Sequence, residues 1–367
     1  MTHLNKWVRR ERHILPAVDH TLAMLSGAKV FTKLDATSGF WQIPLAEESR
    51  LLTTFIIPFG RYAFNRLPFG ISPAPEHFQH RMSQMLEGYE GVVCHADDIV
   101  VFGEDVKQHN ERLHKVRQTL RKEGLTLNEK CEFSKDKILF VGHCVTAEGV
   151  SPDPNKVRAI MEMPEPTDAE GVRRVMGMAN YLGKFLPHLA SYTRPLKDLL
   201  SEKNEWQWGA PQKDAFQKLK TELSSQRVLA PYSLTAETCV AADASSYGLG
   251  AVLTQAQPDG TWRPIVFISR GLTEAEKHYA QIEKEALAVT WACERLAPYV
   301  HGLRFKLETD HKPLVPLLST KALDELPPRV LRFRLRLMKF TFDIVHVPVQ
   351  QEITQQGFKL FNMPFRQ

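Results

Sequence analysis

Two apolar runs, Val92-Val93-Cys94 and Ile99-Val100-Val101-Phe102, flank a pair of acids, Asp97 and Asp98. Runs this short and β-branched predict the two strands of a hairpin, with the acids at its turn. Upstream, Phe31-Thr32-Lys33-Leu34-Asp35 predicts a strand over 30–35 that ends in a third carboxylate. Helical spacing predicts helices over 17–26, 74–87 and 106–123, the last closed by Gly124 as a C-terminal cap. A further strand pair near 138–141 and 143–146 surrounds Val141-Gly142-His143. Residues 1–150 therefore read as mixed α/β.

Pro152, Pro154, Pro164 and Pro166 then break the pattern and mark a boundary. From 168 to 225 the spacing is helical. Thr167-Asp168-Ala169-Glu170 is a capping segment, and Val172, Val175, Met176, Ala179 and Leu182 share one face. A second α/β pattern begins near Ala230. It has strands over Thr238–Ala244, 249–254, 264–269, Arg304–Thr309 and 342–348. A long helix is predicted over 273–296, with Tyr279, Ile282, Ala286, Val289 and Cys293 as its core stripe.

With 367 residues and 43% hydrophobic content, the chain can bury the cores of two or three domains. Its net charge of +5 permits a polyanionic partner without demanding one. The five cysteines, Cys94, Cys131, Cys144, Cys239 and Cys293, are scattered and form no CxxC pair. They read as reduced thiols of an intracellular protein, with no zinc site. No apolar run approaches the roughly 20 residues that span a bilayer, and the polar N-terminus lacks a signal-peptide core. A cytoplasmic or nuclear location without membrane attachment is therefore expected. Arg9-Arg10-Glu11-Arg12 reads as a solvated helix face rather than a targeting patch.

Adjacent carboxylates near a core repel, and burial raises their pKa values. A divalent cation resolves that conflict, since hard oxygen ligands suit Mg²⁺. Taken alone, Asp97-Asp98 also fits an ordinary turn. It is not alone, however. Asp35 is followed by Ser38-Gly39-Phe40-Trp41-Gln42-Ile43. Leu67-Pro68-Phe69-Gly70-Ile71-Ser72-Pro73-Ala74-Pro75 lies between the two acid sites.

This ordered set resembles the reverse transcriptase palm, and more closely the polymerases of gypsy-type long-terminal-repeat retrotransposons. The resemblance runs from about residue 4 to about residue 348. It implies an α+β palm with a helical thumb, followed by an α/β ribonuclease H-like domain. The implied division is 1–150 palm, 151–229 thumb and connecting region, 230–348 ribonuclease H-like domain and 349–367 divergent tail. By this resemblance Asp35 and Asp97 ligate two metal ions, Mg²⁺ or Mn²⁺, and Asp98 is the third acid of the metal site. Phe40 matches an aromatic gate that excludes a ribose 2′-hydroxyl. Phe69 and Gly70 match the segment under the incoming nucleotide, and Lys130 loosely matches a lysine near its triphosphate. Val141 and Gly142 match the primer grip. The thumb cations Arg173, Arg174 and Lys184 either form a solvated face or contact a template–primer backbone.

The second half carries a comparable set. Asp243 in Ala241-Ala242-Asp243-Ala244-Ser245, Glu285 in Glu283-Lys284-Glu285-Ala286 and Asp310 in Glu308-Thr309-Asp310-His311 stand at a strand, a helix and a strand end. They resemble the catalytic, metal-holding carboxylates of ribonuclease H, which cleaves the RNA of an RNA–DNA hybrid. His311 is assigned no role. Arg329, Arg332, Arg334, Arg336 and Lys339 either hold the hybrid backbone or form a wet helix face.

Three departures from the family pattern stand out. His95 occupies the usual tyrosine position before the paired acids, keeping a flat ring and a hydrogen-bonding tip, and is expected to impair rather than abolish catalysis. The family's basic fingers are expected to lie before Leu4, which predicts weak polymerisation by this chain alone. The family's fourth nuclease carboxylate has no counterpart, Glu352 being the only acid after Val349. Three functional readings follow. The first is an RNA-directed DNA polymerase joined to ribonuclease H, acting on RNA template, DNA primer, deoxynucleoside triphosphates and hybrid. The second keeps the hydrolytic half alone. The third is an inactive remnant that at most binds nucleic acid.

Overall fold

The computed structural model describes residues 1–9, 17–201, 204–225 and 227–348. The chain divides into two compact units, Met1–Val150 and Ser151–Gln367.

The first unit is built on a four-stranded sheet in the order β4-β5-β1-β6. Its strands are β1 (Val30–Asp35), β4 (Val92–His95), β5 (Asp98–Gly103) and β6 (Glu132–Lys135). The hairpin of β2 (Phe55–Ile57) and β3 (Gly60–Tyr62) stands apart. β7 (Lys137–Phe140) pairs antiparallel with β8 (His143–Thr146), and β9 (Gly149–Pro152) completes that small sheet. The helices are α1 (Val18–Ala23), α2 (Glu47–Arg50), α3 (Ala74–Met85) and α4 (Val106–Lys122). Alternation along the strands divides the sheet into two faces. Leu34, Ile99 and Val101 pack against Phe78 and Met82 of α3 and Leu113, Val116 and Leu120 of α4. The other face carries Lys33 and Asp35 on β1, with Val100 and Asp98 directly opposite on β5. Asp105 caps α4 by accepting from the Gln108 N–H at 2.8 Å.

In the second unit α5 (Pro154–Met161), α6 (Ala169–Tyr181), α7 (Leu189–Asp198) and α8 (Ala210–Ser224) share one core. The predicted face of Val172, Val175, Met176, Ala179 and Leu182 is buried in it. The sheet that follows has the order β12-β11-β10-β13-β14. β10 (Thr238–Ala244), β11 (Gly248–Ala256) and β12 (Trp262–Gly271) form an antiparallel meander, and β13 (Arg304–Thr309) and β14 (Thr341–His346) join in parallel. The predicted helix over 273–296 is two helices, α9 (Glu274–Lys277) and α10 (Gln281–Arg295). The break has a local cause. Thr273 caps α9 with Glu276, and Glu283 reaches back to the Ala280 N–H at 3.1 Å, starting a new helix there. α10 lies in the core with α11 (Ala297–Val300), α12 (Leu314–Leu318) and α13 (Pro328–Leu337). Among the described residues no helix is long and apolar enough to cross a membrane. All five cysteines are free thiols. Arg10 to Arg12 and the tail after 348, with Glu352, lie outside the described residues.

Candidate active sites

In the first unit β4 and β5 meet at a two-residue turn, Ala96-Asp97, closed by the His95–Asp98 pair. Ala96 takes the left-handed conformation, φ 52°, which costs about 1–2 kcal/mol in a residue with a Cβ. Two contacts hold it there. The Gln79 side-chain Oε1 accepts from the Ala96 N–H at 2.7 Å, and its Nε2 donates to the Cys94 backbone carbonyl at 3.2 Å. Gln79 is 1% exposed on the buried face of α3, so a polar side chain inside an apolar stripe fixes the acid turn. The Ala36 N–H donates to the Asp97 carbonyl at 3.2 Å and brings the turn to the end of β1. Gly39 closes the pocket from the third side. A Cβ there would lie 2.7 Å from Phe78 Cζ and 3.1 Å from Asp97 Oδ1, so the position accepts only glycine.

Asp97 and Asp98 share a strained electrostatic setting. Burial, then Asp35, then Asp98 push the Asp97 carboxyl above its ordinary pKa. Asp98 is also raised, by burial, while the Lys33 ammonium 3.0 Å from its Oδ2 opposes the rise. Asp98 is thus turned toward Lys33. The His95 Nδ1 is buried and has no hydrogen-bond partner among the described residues.

The aromatic residues singled out in the sequence are gathered. The Phe40 ring lies 5.2 Å from Phe69 and 5.7 Å from Phe78, and Trp41 reaches Phe69 at 5.7 Å. Gly70 has φ 88°, a conformation that favours glycine, and its carbonyl accepts from the Asn5 amide at 2.8 Å. Val141 and Gly142 form the β7–β8 turn with φ 47° and 73°. Lys130 is exposed and makes no side-chain ion pair among the described residues. Its segment touches Asp35, because the Asn128 N–H donates to the Asp35 carbonyl at 2.8 Å.

In the second unit Asp243 lies next to the end of β10, opposite Gly250, and Asp310 follows β13, which runs parallel to β10. Glu285 comes from the first half of α10. One ligand oxygen from each of Asp243, Glu285 and Asp310 falls within 4.8 Å of the others. Among the described residues this is the one such group of three or more possible metal ligands. Glu285 is 4% exposed. Burial first, then the charges of Asp243 and Asp310, push its carboxyl up to about 8. It accepts from the Ala244 N–H at 3.2 Å and from the Gln281 amide. Three carboxylates packed this closely, one of them deprotonated only with difficulty, fit a divalent cation. His311 donates its backbone N–H to Thr309 Oγ1 at 3.2 Å.

Four of the five cations of the basic run 329–339 are engaged within the domain, and Arg332 is exposed. Arg329 pairs with Glu283 at 2.6 Å, Arg336 with Glu294 through both oxygens, and Lys339 with Glu294 at 3.6 Å. Arg334 donates to the Leu317, Ser319 and Lys321 carbonyls at the end of α12. These cations staple α13 to α10 and α12. By contrast, Arg173 and Arg174 are exposed on α6 and, among the described residues, make no side-chain ion pair or hydrogen bond. Lys184 lies 5.5 Å from the Phe185 ring. Sequence reasoning missed Gln79, Gly39, Gln281 and Lys33. The readable signal was a polar residue in an apolar stripe for Gln79, and a polar residue one helical turn before an acid for Gln281.

Residues 3–145 match the family described as reverse transcriptase (RNA-dependent DNA polymerase), and residues 208–307 the RNase H-like domain found in reverse transcriptase. The retrovirus-related Pol polyprotein from transposon opus of Drosophila melanogaster is 36% identical over 95% of this chain and 36% of its own length. That from transposon 412 of the same organism is 34% identical over 94% of this chain and 28% of its own. The transposon Tf2-3 polyprotein of Schizosaccharomyces pombe is 31% identical over 94% and 26%. The chain thus spans about a third of the length of these relatives. Among solved structures, the foamy viral protease-reverse transcriptase in complex with RNA/DNA hybrid superposes with a TM-score of 0.79 at 20% identity, covering 94% of this chain and 47% of that one. The same protein in complex with dsDNA gives 0.81 at 20% identity, over 94% and 73%. With both domains in order and relatives aligned along nearly its whole length, the chain belongs to the reverse transcriptase and RNase H-like portion of retrovirus-related transposon Pol polyproteins.

Proposed function

We propose that the chain is an RNA-directed DNA polymerase joined to a ribonuclease H, using Mg²⁺ or Mn²⁺ at two separate carboxylate sites. The working division is palm over 1–150, thumb and connecting region over 151–229, and nuclease over 230–348. The observation that carries the reading is the convergence of Asp243, Glu285 and Asp310 to within 4.8 Å. Bound divalent ions would supply an activated water or hydroxyl and charge neutralisation at the attacked phosphate. The chain's own residues do the rest. Asp243 and Asp310 hold the ligand geometry from strand ends, and Glu285 is oriented by the Ala244 N–H and Gln281. In the palm Asp35 and Asp97 are the ligands, with Asp98 as third acid. Phe40, packed against Phe69 and Phe78, is the gate for deoxynucleotides. Gly70 shapes the turn beneath the nucleotide, and Lys130 faces its triphosphate. The Val141-Gly142 turn holds the primer end, and His95 shapes the acid turn from β4. RNA template, DNA primer, hybrid and deoxynucleoside triphosphates are the partners.

A second reading, nuclease alone, draws on one observation: the nuclease acids gather within 4.8 Å while Asp98 is paired with Lys33. Two assays on purified protein separate the readings. Cleavage of a labelled RNA–DNA hybrid, lost in Glu285→Gln, is expected under both. Primer extension, lost in Asp97→Asn, is expected under the first alone. Folded protein active in neither assay would overturn both and leave a nucleic-acid-binding remnant.

A further inference from the structure

The second carboxylate of the Asp97-Asp98 pair has a choice of neighbours. Asp98 stands directly opposite Asp35 on the paired strand. Cross-strand partners have Cβ atoms about 4.5–5.5 Å apart, so its carboxylate can reach the Asp35 side of the sheet. Lys33 is two residues before Asp35 and shares its face. The Lys33 ammonium is 3.0 Å from Asp98 Oδ2 and 3.1 Å from the Leu139 carbonyl oxygen of β7. Both side chains are mostly withdrawn from water, at 21% and 29% exposure, so the pair is screened less than a surface pair. The β1–β6 pairing slips register between Phe31 and Lys33, the kind of irregularity that re-aims a side chain. Leu139 is two residues before the Val141-Gly142 turn.

We infer that Lys33 is a positioning residue of the polymerase site: its ammonium holds Asp98 away from the Asp35–Asp97 pair and ties the β7–β8 hairpin to the strand that carries Asp35. The inference rests on the polymerase reading of this unit. An ammonium has three donors and no acceptor, so one group can bridge a carboxylate and a carbonyl at once. Two acids then remain for metal, while the third is neutralised by a fixed cation. The position of the primer-grip turn becomes linked to the acids through one side chain.

The test uses the full chain carrying Asp243→Asn, Glu285→Gln and Asp310→Asn, so that the nuclease acids no longer report. Mn²⁺ alone is the probe, its free concentration read by paramagnetic resonance. Asp98→Asn is expected to leave Mn²⁺ affinity within about twofold, because a carboxylate paired with Lys33 contributes little to metal. Lys33→Met is expected to tighten Mn²⁺ binding by roughly three- to tenfold, because a local cation is removed and Asp98 is released. The double variant should return toward the parent, and Lys33→Arg should stay near it. Hydrogen exchange of the 137–146 amides should rise in Lys33→Met and hold steady in Asp98→Asn, where the ammonium still donates to Leu139. A loss of about tenfold or more in Mn²⁺ affinity in Asp98→Asn would make Asp98 a direct ligand and overturn the inference. So would unchanged or weaker binding in Lys33→Met, or unaltered hairpin exchange. If Lys33→Met does not fold, Asp98→Asn decides alone. Primer extension by the unmodified chain is scored separately. Its absence would count against the polymerase reading, while the Mn²⁺ titrations would still decide what Lys33 does.

Discussion

Glu285 concentrates the electrostatic strain of the Asp243–Glu285–Asp310 cluster in one side chain. Its carboxyl is pushed up to about 8 from an ordinary 4.5, burial being the larger cause and the charges of Asp243 and Asp310 the next. Between those two values the folded, metal-free chain keeps the proton and the unfolded chain has released it. Stability therefore falls as pH rises through that window, and the full penalty is present above about 8. Glu285→Gln keeps the shape and removes the charge. In a chelator it should stabilise the protein by an amount on the order of a few kcal/mol at pH 9 and by little at pH 5, read as denaturant midpoints. An equal effect at both pH values would contradict the assignment. Gly39 gives a second prediction at this scale. Phe78, 2% exposed, cannot swing clear of a Cβ placed 2.7 Å from its ring. Gly39→Ala should cost about 1–3 kcal/mol in urea unfolding and displace Asp97. Asp35, Asp243 and Asp310 were legible in the sequence because each closes a strand-like run, and Asp97 and Asp98 because two apolar runs flank them. Their partners were not. Lys33 reads as an ordinary strand lysine until the fold sets Leu139 and Asp98 around it.

Among the elements, two arginine-bearing helices have opposite surroundings. On α13, Arg329, Arg334 and Arg336, with Lys339 just beyond it, meet Glu283, Glu294 and the carbonyls ending α12. On α6, Arg173 and Arg174 are exposed, with no ion pair among the described residues. Charge patterning in the sequence could not distinguish these cases, because the acids that meet α13 lie about 40 residues away on α10. Arg336→Ala should lower stability by about 0.5 kcal/mol and leave hybrid affinity unchanged, since a partly exposed ion pair contributes little. Arg173→Ala with Arg174→Ala should leave stability near the parent. That pair should weaken binding of a duplex and reduce the slope of log affinity against log salt by about 0.9 per lost phosphate contact. Fluorescence anisotropy at several salt concentrations, beside a urea melt, reads all four quantities. Equal salt slopes for both helices would show that exposure does not mark the binding face. The split of the predicted 273–296 helix belongs to this scale too. Periodicity continued across the break, but two capping segments, at Thr273 and at Ala280, each start a helix.

Across the whole molecule, the alternation of apolar runs and helical spacing was enough to place most strands and the order of both acid sets. It was not enough for the short strands β2, β3 and β6, which carry too few buried residues to leave a pattern. Each acid set is assembled by its own sheet and helices: β1, the β4–β5 turn and α3 in the first unit, β10, β13 and α10 in the second. No described acid is shared between them. The two chemistries should therefore be separable by single isosteric changes that remove a ligand charge without altering packing. Asp97→Asn should lower primer extension by roughly a hundredfold or more and leave hybrid cleavage within about twofold. Asp243→Asn should do the reverse. Both activities should vanish in a chelator and return on adding Mg²⁺ or Mn²⁺. The decisive comparison is made on one preparation of each variant, with its melt recorded beside the two assays. If Asp97→Asn lowered cleavage as much as extension with the fold intact, the second site would depend on the first, and the independence argued from their separate scaffolds would be wrong.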